Sequence, residues 1–292
     1  MVRNTRKERL ERRRGKVHWL DVIGYGAILV FIIIVGYLVA PTFQFGLQNQ
    51  TSTSVSQVTR AAIIDQLSSV QSGSSLISWT VGTLQQRGIA VDVFLPGDVT
   101  VAFYASLAAR GYQLIILRVH TGLGNAASPI GLFTSETYDP NRYVLEQANG
   151  LVGSAQTGPG APILFAVTPK FIRESMQGNF NGAILILGGC YGLQGGDLAQ
   201  AFVSKGAGVV IGWTGLVDLS HTDVALKQLL QDFIVNGKNI RDSVQHTMGI
   251  VGPDPTYSSV LNYYPSDQGS VKLATAPAWI MSLALRGRKS EL

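Results

Sequence analysis

Short apolar runs alternate with longer amphipathic stretches along much of the chain. The first apolar runs are AAIIDQL at 61–67, AVDVFL at 90–95 and YQLIILRVH at 112–120, with helix-like stretches near 74–88 and at 100–111 between them. Buried strands that alternate with helices of about ten to fifteen residues are typical of parallel βαβ units. The pattern therefore predicts an α/β domain, a three-layer α-β-α sandwich around a mostly parallel sheet.

The alternation pauses over residues 121–162, which are rich in Gly, Ser and Thr and indicate neither strand nor helix clearly. It then resumes with PILFAVT, helical PKFIRESMQG, AILILGG, helical DLAQAFVSKG, AGVVIGW and helical SHTDVALKQLLQDFIVNG. Beyond Pro253 the composition is typical of loops, with a possible edge strand at 270–275. We therefore expect the α/β domain to span 60–252 and a C-terminal loop or edge segment to span 253–292.

The chain begins with a basic tail and a long apolar run. Residues 22–40, VIGYGAILVFIIIVGYLVA, contain no charge and are long enough to cross a bilayer as a helix. A cleavable signal peptide is the alternative, but its apolar stretch would be shorter. We expect a membrane-spanning helix at 22–40, a cytoplasmic tail at 1–21 and a polar stalk at 41–59. The positive-inside rule then places the α/β domain outside the cytoplasmic membrane, as in a single-pass membrane protein.

The basic character of the chain is confined to this tail. The first twenty residues hold eight of the 23 Lys and Arg residues and two of the 18 acidic ones, which leaves 15 basic and 16 acidic residues in the remainder. A nearly neutral domain offers no basic surface for nucleic acid, so no nucleic-acid partner is expected. The single cysteine excludes an internal disulfide.

Two chemically competent side chains follow two of the apolar strands. His120 follows the apolar run in LIILRVHTG (114–122), and Cys190 follows the apolar run in ILILGGCYG (184–192). Ligands of open parallel sheets bind beyond the carboxyl ends of the strands, where both residues are expected. A neutral imidazole can accept a proton from a thiol, and the thiolate is the nucleophile in acyl transfer. The main-chain N–H groups of Thr121, Gly122 and Cys190 are candidate donors to the developing oxyanion.

These motifs resemble those of the caspase-like cysteine peptidases, the group of caspases, legumains, gingipains, separases and CHAT domains. In that group a histidine ends one strand of a parallel sheet and a cysteine ends the next. The segment GGDLAQAFVSKGAGVVIGWTGLVDLSHTD is similar to the CHAT and separase pattern after the cysteine, and the resemblance covers about residues 60–250. Many relatives have glycine directly after the histidine, whereas here Thr121 precedes Gly122.

The resemblance implies roles for individual residues. It assigns the general base to His120 and the nucleophile to Cys190. It also nominates side chains for the substrate pocket, namely Trp213, Asp218, Asp197 and Asp223. Carboxylates in that pocket would favour a basic substrate residue, whereas helix capping by these aspartates would leave a pocket for small or apolar residues. The expected activity is that of a membrane-anchored cysteine endopeptidase that acts on peptides or proteins without a metal or cofactor.

Two other functions are compatible with the sequence. GGCYG also satisfies the G-x-C-x-G elbow of a cysteine-type α/β-hydrolase, with Asp218, Asp223 or Asp232 and then His246 in the order that class requires. That function needs a helix to start at the nucleophile, although glycines delay the next helix to about Asp197. The second alternative is a catalytically degenerate caspase-like domain that serves as a membrane-tethered binding or scaffold module.

Overall fold

The structure is a computed structural model that describes residues 60–122 and 131–273 of the chain. The predicted tail, membrane span at 22–40 and stalk lie outside these residues. In the part that the structure describes, no helix is both long and apolar enough to span a membrane.

The order of elements follows the predicted alternation. The strands are β1 Arg60–Asp65, β2 Ala90–Phe94, β3 Leu114–Arg118, β4 Thr121–Gly122, β5 Gly131–Thr137, β6 Val152–Ala155, β7 Leu164–Val167, β8 Ile184–Leu187, β9 Val209–Trp213 and β10 Leu261–Tyr264. The α-helices are α1 Ser74–Gln86, α2 Val101–Ser106, α3 Val144–Ala148, α4 Pro169–Glu174, α5 Asp197–Ser204, α6 Leu219–Leu230 and α7 Ile240–Val251. A single π-helical turn, Gln231–Val235, extends α6. Short 3₁₀ turns lie at Leu67–Ser69, Pro96–Asp98, Leu107–Arg110 and Ser266–Ser270.

The main sheet has six strands in the order β2-β1-β3-β8-β9-β10. The first five are parallel to one another, and β10 runs antiparallel to β9 at the edge. The prediction of a mixed α/β fold with a mostly parallel sheet is therefore confirmed. Parallel strands need both faces covered, which explains why β3, β8 and β9 are entirely buried.

Two apolar clusters lie on opposite faces of this sheet. Alternate residues of β3 divide between them, because successive side chains of a strand point to opposite faces: Ile115 and Leu117 join one cluster, Leu114 and Ile116 the other. Helices α2, α4 and α5 contribute to the first cluster and α1, α6 and α7 to the second. The helices thus cover the sheet from both sides.

Strand β7 lies outside the main sheet, although its sequence continues the predicted alternation. It belongs to a second, antiparallel sheet in the order β4-β5-β7-β6. Gly131 permits the close pairing of β5 with β7, because a Cβ there would lie 3.0 Å from the Val167 carbonyl oxygen. An apolar run of four residues carries no information about which sheet it joins, so the strand was predictable and its partners were not.

The edge strand of the main sheet also differs in position from the prediction. It is β10, whereas the described part of 270–275 contains the end of a 3₁₀ turn and extended chain. Strand β10 contains two tyrosines and an asparagine, and its burial is only partial, as expected for an edge strand. Its single buried side chain, Leu261, faces the second cluster.

Candidate active site

The register of the two central strands places His120 and Cys190 at equivalent positions. Strand β3 pairs with β8 so that Leu117 lies opposite Leu187. His120 and Cys190 each follow that pair by three residues, so both lie beyond the carboxyl edge of adjacent parallel strands. His120 lies four positions after Ile116, and Cys190 lies four positions after Ile186. Both isoleucines belong to the second cluster, so continued strand alternation would direct His120 and Cys190 to that same face.

The two chain segments beyond these strands are in close contact. The hydroxyl group of Thr121 donates a hydrogen bond to the carbonyl oxygen of Cys190. A Cβ atom on Gly189 would overlap the carbonyl oxygen of Val119 and lie 3.2 Å from the Thr121 hydroxyl. Only glycine therefore allows the backbone before the thiol to approach the backbone before the imidazole this closely.

A backbone hydrogen bond fixes the position of His120, while one nitrogen of its ring has no hydrogen-bond partner among the described residues. Its amide N–H donates to the side-chain oxygen of Gln66 at 2.9 Å, and its ring lies 5.8 Å from the Phe133 ring, centroid to centroid. Within the described residues, Nε2 is buried and has no hydrogen-bond partner. Burial, followed by the nearby positive charge of Arg118, lowers the pKa of His120. The imidazole is therefore neutral at pH 7 and able to accept a proton.

Cys190 is partly buried, and its sulfur lies 3.6 Å from the carbonyl oxygen of Val217. Burial raises the pKa of the thiol, and the negative charge of Asp254 raises it further, while backbone hydrogen bonding at Val217 and at Cys190 itself acts in the opposite direction. The thiol and the imidazole do not hydrogen-bond to each other. The thiol and the imidazole are therefore both uncharged at pH 7.

This protonation state predicts the pH dependence of alkylation. Because the pKa of Cys190 is raised, its reaction with iodoacetamide should accelerate only above the ordinary cysteine pKa of about 8.5. His120→Ala should leave this profile nearly unchanged, since the imidazole is uncharged throughout that range. A rate that already reaches its plateau below pH 7 would contradict the prediction, because it would indicate a thiolate–imidazolium pair.

A buried ion cluster, formed by Asp65, Arg118 and Asp223, lies directly behind His120. The Arg118 guanidinium is fully buried and contacts Asp65 at 2.7 Å and both carboxylate oxygens of Asp223 at 2.7 and 2.9 Å. It also donates to the carbonyl oxygen of Gln71 at 3.1 Å. The cluster joins the ends of β1 and β3 to the N-terminal half of α6, which fixes the frame that carries the imidazole.

The sequence analysis did not identify Asp65, Gln66 or Arg118 as part of the site. A signal for them exists, because a charged or polar residue at the end of a buried strand is the pattern that singled out His120. Asp65 ends β1 and lies opposite Arg118 in the register of β1 with β3. The same rule applied to every strand identifies Asp65 and Arg118, whereas Asp223 lies on a helix and gives no such signal.

The predicted oxyanion donors lie at this junction. Thr121 is buried in β4, and Gly122 pairs with Gly131 of β5. A Cβ on Gly122 would lie 2.9 Å from the Phe133 ring, so glycine is needed for packing there as well. Within the described chain, the amide of Cys190 donates to no acceptor of another residue. This amide is therefore a candidate donor to an incoming oxygen.

The predicted substrate-binding side chains each have another contact. Trp213 is fully buried, and its indole N–H donates to the Thr222 hydroxyl at 2.8 Å. Asp197 pairs with Arg173 at 3.0 Å, and Asp223 belongs to the buried ion cluster. Asp218 caps α6 by accepting the N–H of Ser220 at 2.9 Å. Their part in substrate binding stays a prediction.

The Asp232 and His246 pair of the α/β-hydrolase alternative lies away from the thiol. His246 Nδ1 contacts the buried carboxylate of Asp232 at 2.6 Å, and this carboxylate also binds Lys238 at 2.8 Å. These hydrogen bonds hold the pKa of Asp232 well below its usual range against the effect of burial. Helix α6 begins beside Cys190 and rises about 18 Å over its twelve residues before Asp232. Helix α5 begins at Asp197, seven positions after the thiol, and not at the thiol as an elbow requires.

A scan against models of protein families gives no match, and a search among curated proteins gives none either. Within residues 60–122 and 131–273, no group of three or more His, Cys, Asp or Glu residues is arranged to hold a metal ion.

Proposed function

We propose that this protein is a cysteine endopeptidase of the caspase-like type, in which His120 and Cys190 form the catalytic dyad. The observation that carries the proposal is the register of β3 with β8. Because Leu117 pairs with Leu187, His120 and Cys190 each lie three residues beyond the same point of two adjacent parallel strands. A histidine and a cysteine at the ends of neighbouring strands is the arrangement that the motif resemblance implies. The order of the strands, with helices on both faces, is compatible with a three-layer caspase-like sandwich.

The chemistry follows from the neutral resting pair. Nε2 of His120 accepts the proton of the Cys190 thiol as the sulfur attacks the carbonyl carbon of the peptide. The imidazolium then gives this proton to the leaving amine, and a thioester remains on the sulfur. A water molecule, deprotonated by His120, attacks the thioester carbonyl and releases the acid and the free thiol. The unpartnered Nε2 supports this role because no other group of the described chain competes for that nitrogen.

The same junction would stabilise the tetrahedral intermediate. The amide of Cys190, together with the main chain at Thr121 and Gly122, would donate to the oxyanion. The hydrogen bond from the Thr121 hydroxyl to the Cys190 carbonyl holds these two segments in a fixed relation. We expect this preorganisation to matter more than an activated thiol, since the pKa of Cys190 is raised and not lowered.

Labelling of the active thiol tests the proposed function. A peptidyl acyloxymethyl ketone, added to the full chain in detergent, should modify Cys190 and abolish peptide hydrolysis. Cys190→Ala should lose both labelling and turnover, and His120→Ala should lose turnover by about a thousandfold or more because the general base is gone. The activity of wild-type protein should fall at acidic pH as His120 becomes protonated, with a midpoint below about 6.5, since burial lowers its pKa.

A matched control separates catalysis from folding. His246→Ala removes another imidazole, far from the thiol, and should retain both labelling and turnover. Equal loss in His246→Ala and His120→Ala would favour the α/β-hydrolase alternative. A folded wild-type protein that neither labels at Cys190 nor cleaves peptides would instead favour a binding or scaffold module.

The membrane location remains part of the proposal. It rests on the uncharged run at 22–40 behind the arginine-rich tail, both outside the described residues. Protease added to intact cells should digest the α/β domain, while a cytoplasmic marker protein stays intact. Full protection of the domain until the cells are lysed would refute the proposed orientation.

A further inference from the structure

Two loops border the thiol on the side of β9 and β10. The loop 214–218 follows β9, and the carbonyl of its Val217 lies against the Cys190 sulfur. The loop 254–260 precedes β10. Hydrogen bonds join the two loops: the Thr214 amide donates to the Val260 carbonyl at 3.0 Å, and the Ser259 hydroxyl donates to the Leu216 carbonyl. The two loops therefore form one surface beside Cys190.

This surface exposes three large apolar side chains. Leu216 is 38% exposed, Tyr257 is 50% exposed and Val260 is 36% exposed. We call these three residues the apolar rim. Exposed apolar side chains that occur singly need no explanation, but a group of them on two linked loops beside a nucleophile suggests a binding surface.

Tyr191 connects the apolar rim to the thiol. Its backbone adopts a left-handed conformation, with φ of 58°, and its amide donates to the Gly215 carbonyl at 2.8 Å. Burial raises the pKa of Tyr191, and the proximity of Cys190 and of Tyr257 raises it further. The residue directly after the nucleophile is thus bonded through its backbone to the loop that carries Leu216, which brings this loop next to the thiol.

The carboxylates of the same loops are already occupied. Asp254 is buried, and its oxygens accept the amides of Asp218, Thr256 and Tyr257 at 2.8 to 2.9 Å. Asp218 caps α6, where the positive end of the helix dipole offsets its charge. Backbone hydrogen bonds thus already use both oxygens of Asp254 and Oδ1 of Asp218, so a basic substrate side chain would have to compete with them.

We infer that the apolar rim of Leu216, Tyr257 and Val260 selects peptide substrates with an apolar or aromatic side chain beside the scissile bond. This inference rests on the proposed peptidase function, since it concerns the substrate of the same site. Aspartates near the thiol would favour a basic side chain in the substrate. The apolar rim instead favours a side chain that buries apolar surface against leucine, tyrosine and valine.

Profiling with a positional library of fluorogenic peptides tests the inference on the full chain. Wild-type protein should hydrolyse substrates with Leu, Phe or Tyr beside the scissile bond at least tenfold faster than those with Arg, Lys or Asp. Leu216→Asp should lower kcat/KM for the apolar substrates by about 10- to 100-fold, the range expected when apolar pocket contacts are lost. Leu145→Asp is the matched control, because Leu145 is 74% exposed on α3 and should tolerate the same change without effect.

Each outcome is decisive. A wild-type preference for Arg or Lys that Asp218→Asn reduces would overturn the apolar rim and leave the peptidase function standing. Equal kcat/KM values for Leu216→Asp and Leu145→Asp, with both proteins folded by circular dichroism, would also overturn it. Absence of Cys190-dependent turnover for every peptide would overturn the proposed function and this inference together. If Leu216→Asp keeps wild-type kcat/KM but loses dimerisation, the surface binds a second copy of the chain and the inference is overturned. If it keeps wild-type kcat/KM but loses binding to lipid vesicles, the surface binds lipid and the inference is likewise overturned.

Discussion

Arg118→Met is expected to lower the free energy of unfolding by about 3–5 kcal/mol, because it leaves the carboxylates of Asp65 and Asp223 without their buried cation. Methionine fills much of the volume of arginine, so the loss would reflect charge and hydrogen bonding more than a cavity. For a domain of this size the melting temperature should fall by roughly 10 °C. Thermal and urea unfolding of the variant and of the wild-type protein measure the effect.

Two further variants show what the guanidinium contributes. Arg118→Lys keeps the charge but cannot contact Asp65 and both oxygens of Asp223 at once, so we expect an intermediate loss. Arg173→Met removes an ion pair of similar length, 3.0 Å to Asp197, whose side chains are 36% and 48% exposed. It should cost at most about 1 kcal/mol. Equal losses for Arg173→Met and Arg118→Met would show that the buried ion cluster does not stabilise the fold.

Gly189→Ala is expected to separate the two strand ends that carry His120 and Cys190. The added methyl group would overlap the Val119 carbonyl oxygen, and a backbone carbonyl in a packed sheet cannot move aside cheaply. The free energy of unfolding should fall by about 2–3 kcal/mol. Peptide hydrolysis should be lost at temperatures where the variant is still folded, and Cys190 should react faster with iodoacetamide because its surroundings open.

Gly153→Ala is the control for this substitution. Gly153 lies on β6, and a Cβ there would meet no atom within 4 Å. The variant should therefore keep wild-type stability and activity. If Gly189→Ala behaves in the same way as Gly153→Ala, the close approach of the two segments is not needed for the site.

Periodicity predicted the central strands well because each is a fully buried run between glycines or polar residues. The same reasoning could not assign β7 to its sheet, since LFAV suits a buried strand in either one. It also could not locate β10 at Leu261–Tyr264, where the polar Asn262 and two tyrosines dilute the apolar signal of an edge strand. Strand identity depends on local composition, whereas strand partners depend on contacts that no short segment encodes.

Some features of the candidate site could likewise be predicted from the sequence, and others could not. The placement of His120 and Cys190 beyond the same edge of the sheet was predictable, because a parallel sheet brings the carboxyl ends of its strands together. The contacts of the four predicted pocket residues were not predictable, because each depends on a distant partner. Asp223 illustrates this, since its position suggests an N-terminal helix charge while its carboxylate is bound by Arg118 from β3. Its partner lies on an element that ends a hundred residues earlier in the chain.

The pairing of β3 with β8 has a consequence for how the chain folds. The whole second sheet and α4 separate these two strands in sequence, so their contact is nonlocal and requires a large loop to close first. Neither residue of the proposed dyad can assist the other until this central pairing has formed. An incompletely folded chain would carry a thiol with no base beside it, so the proposed hydrolytic activity would appear only when the core of the main sheet is complete.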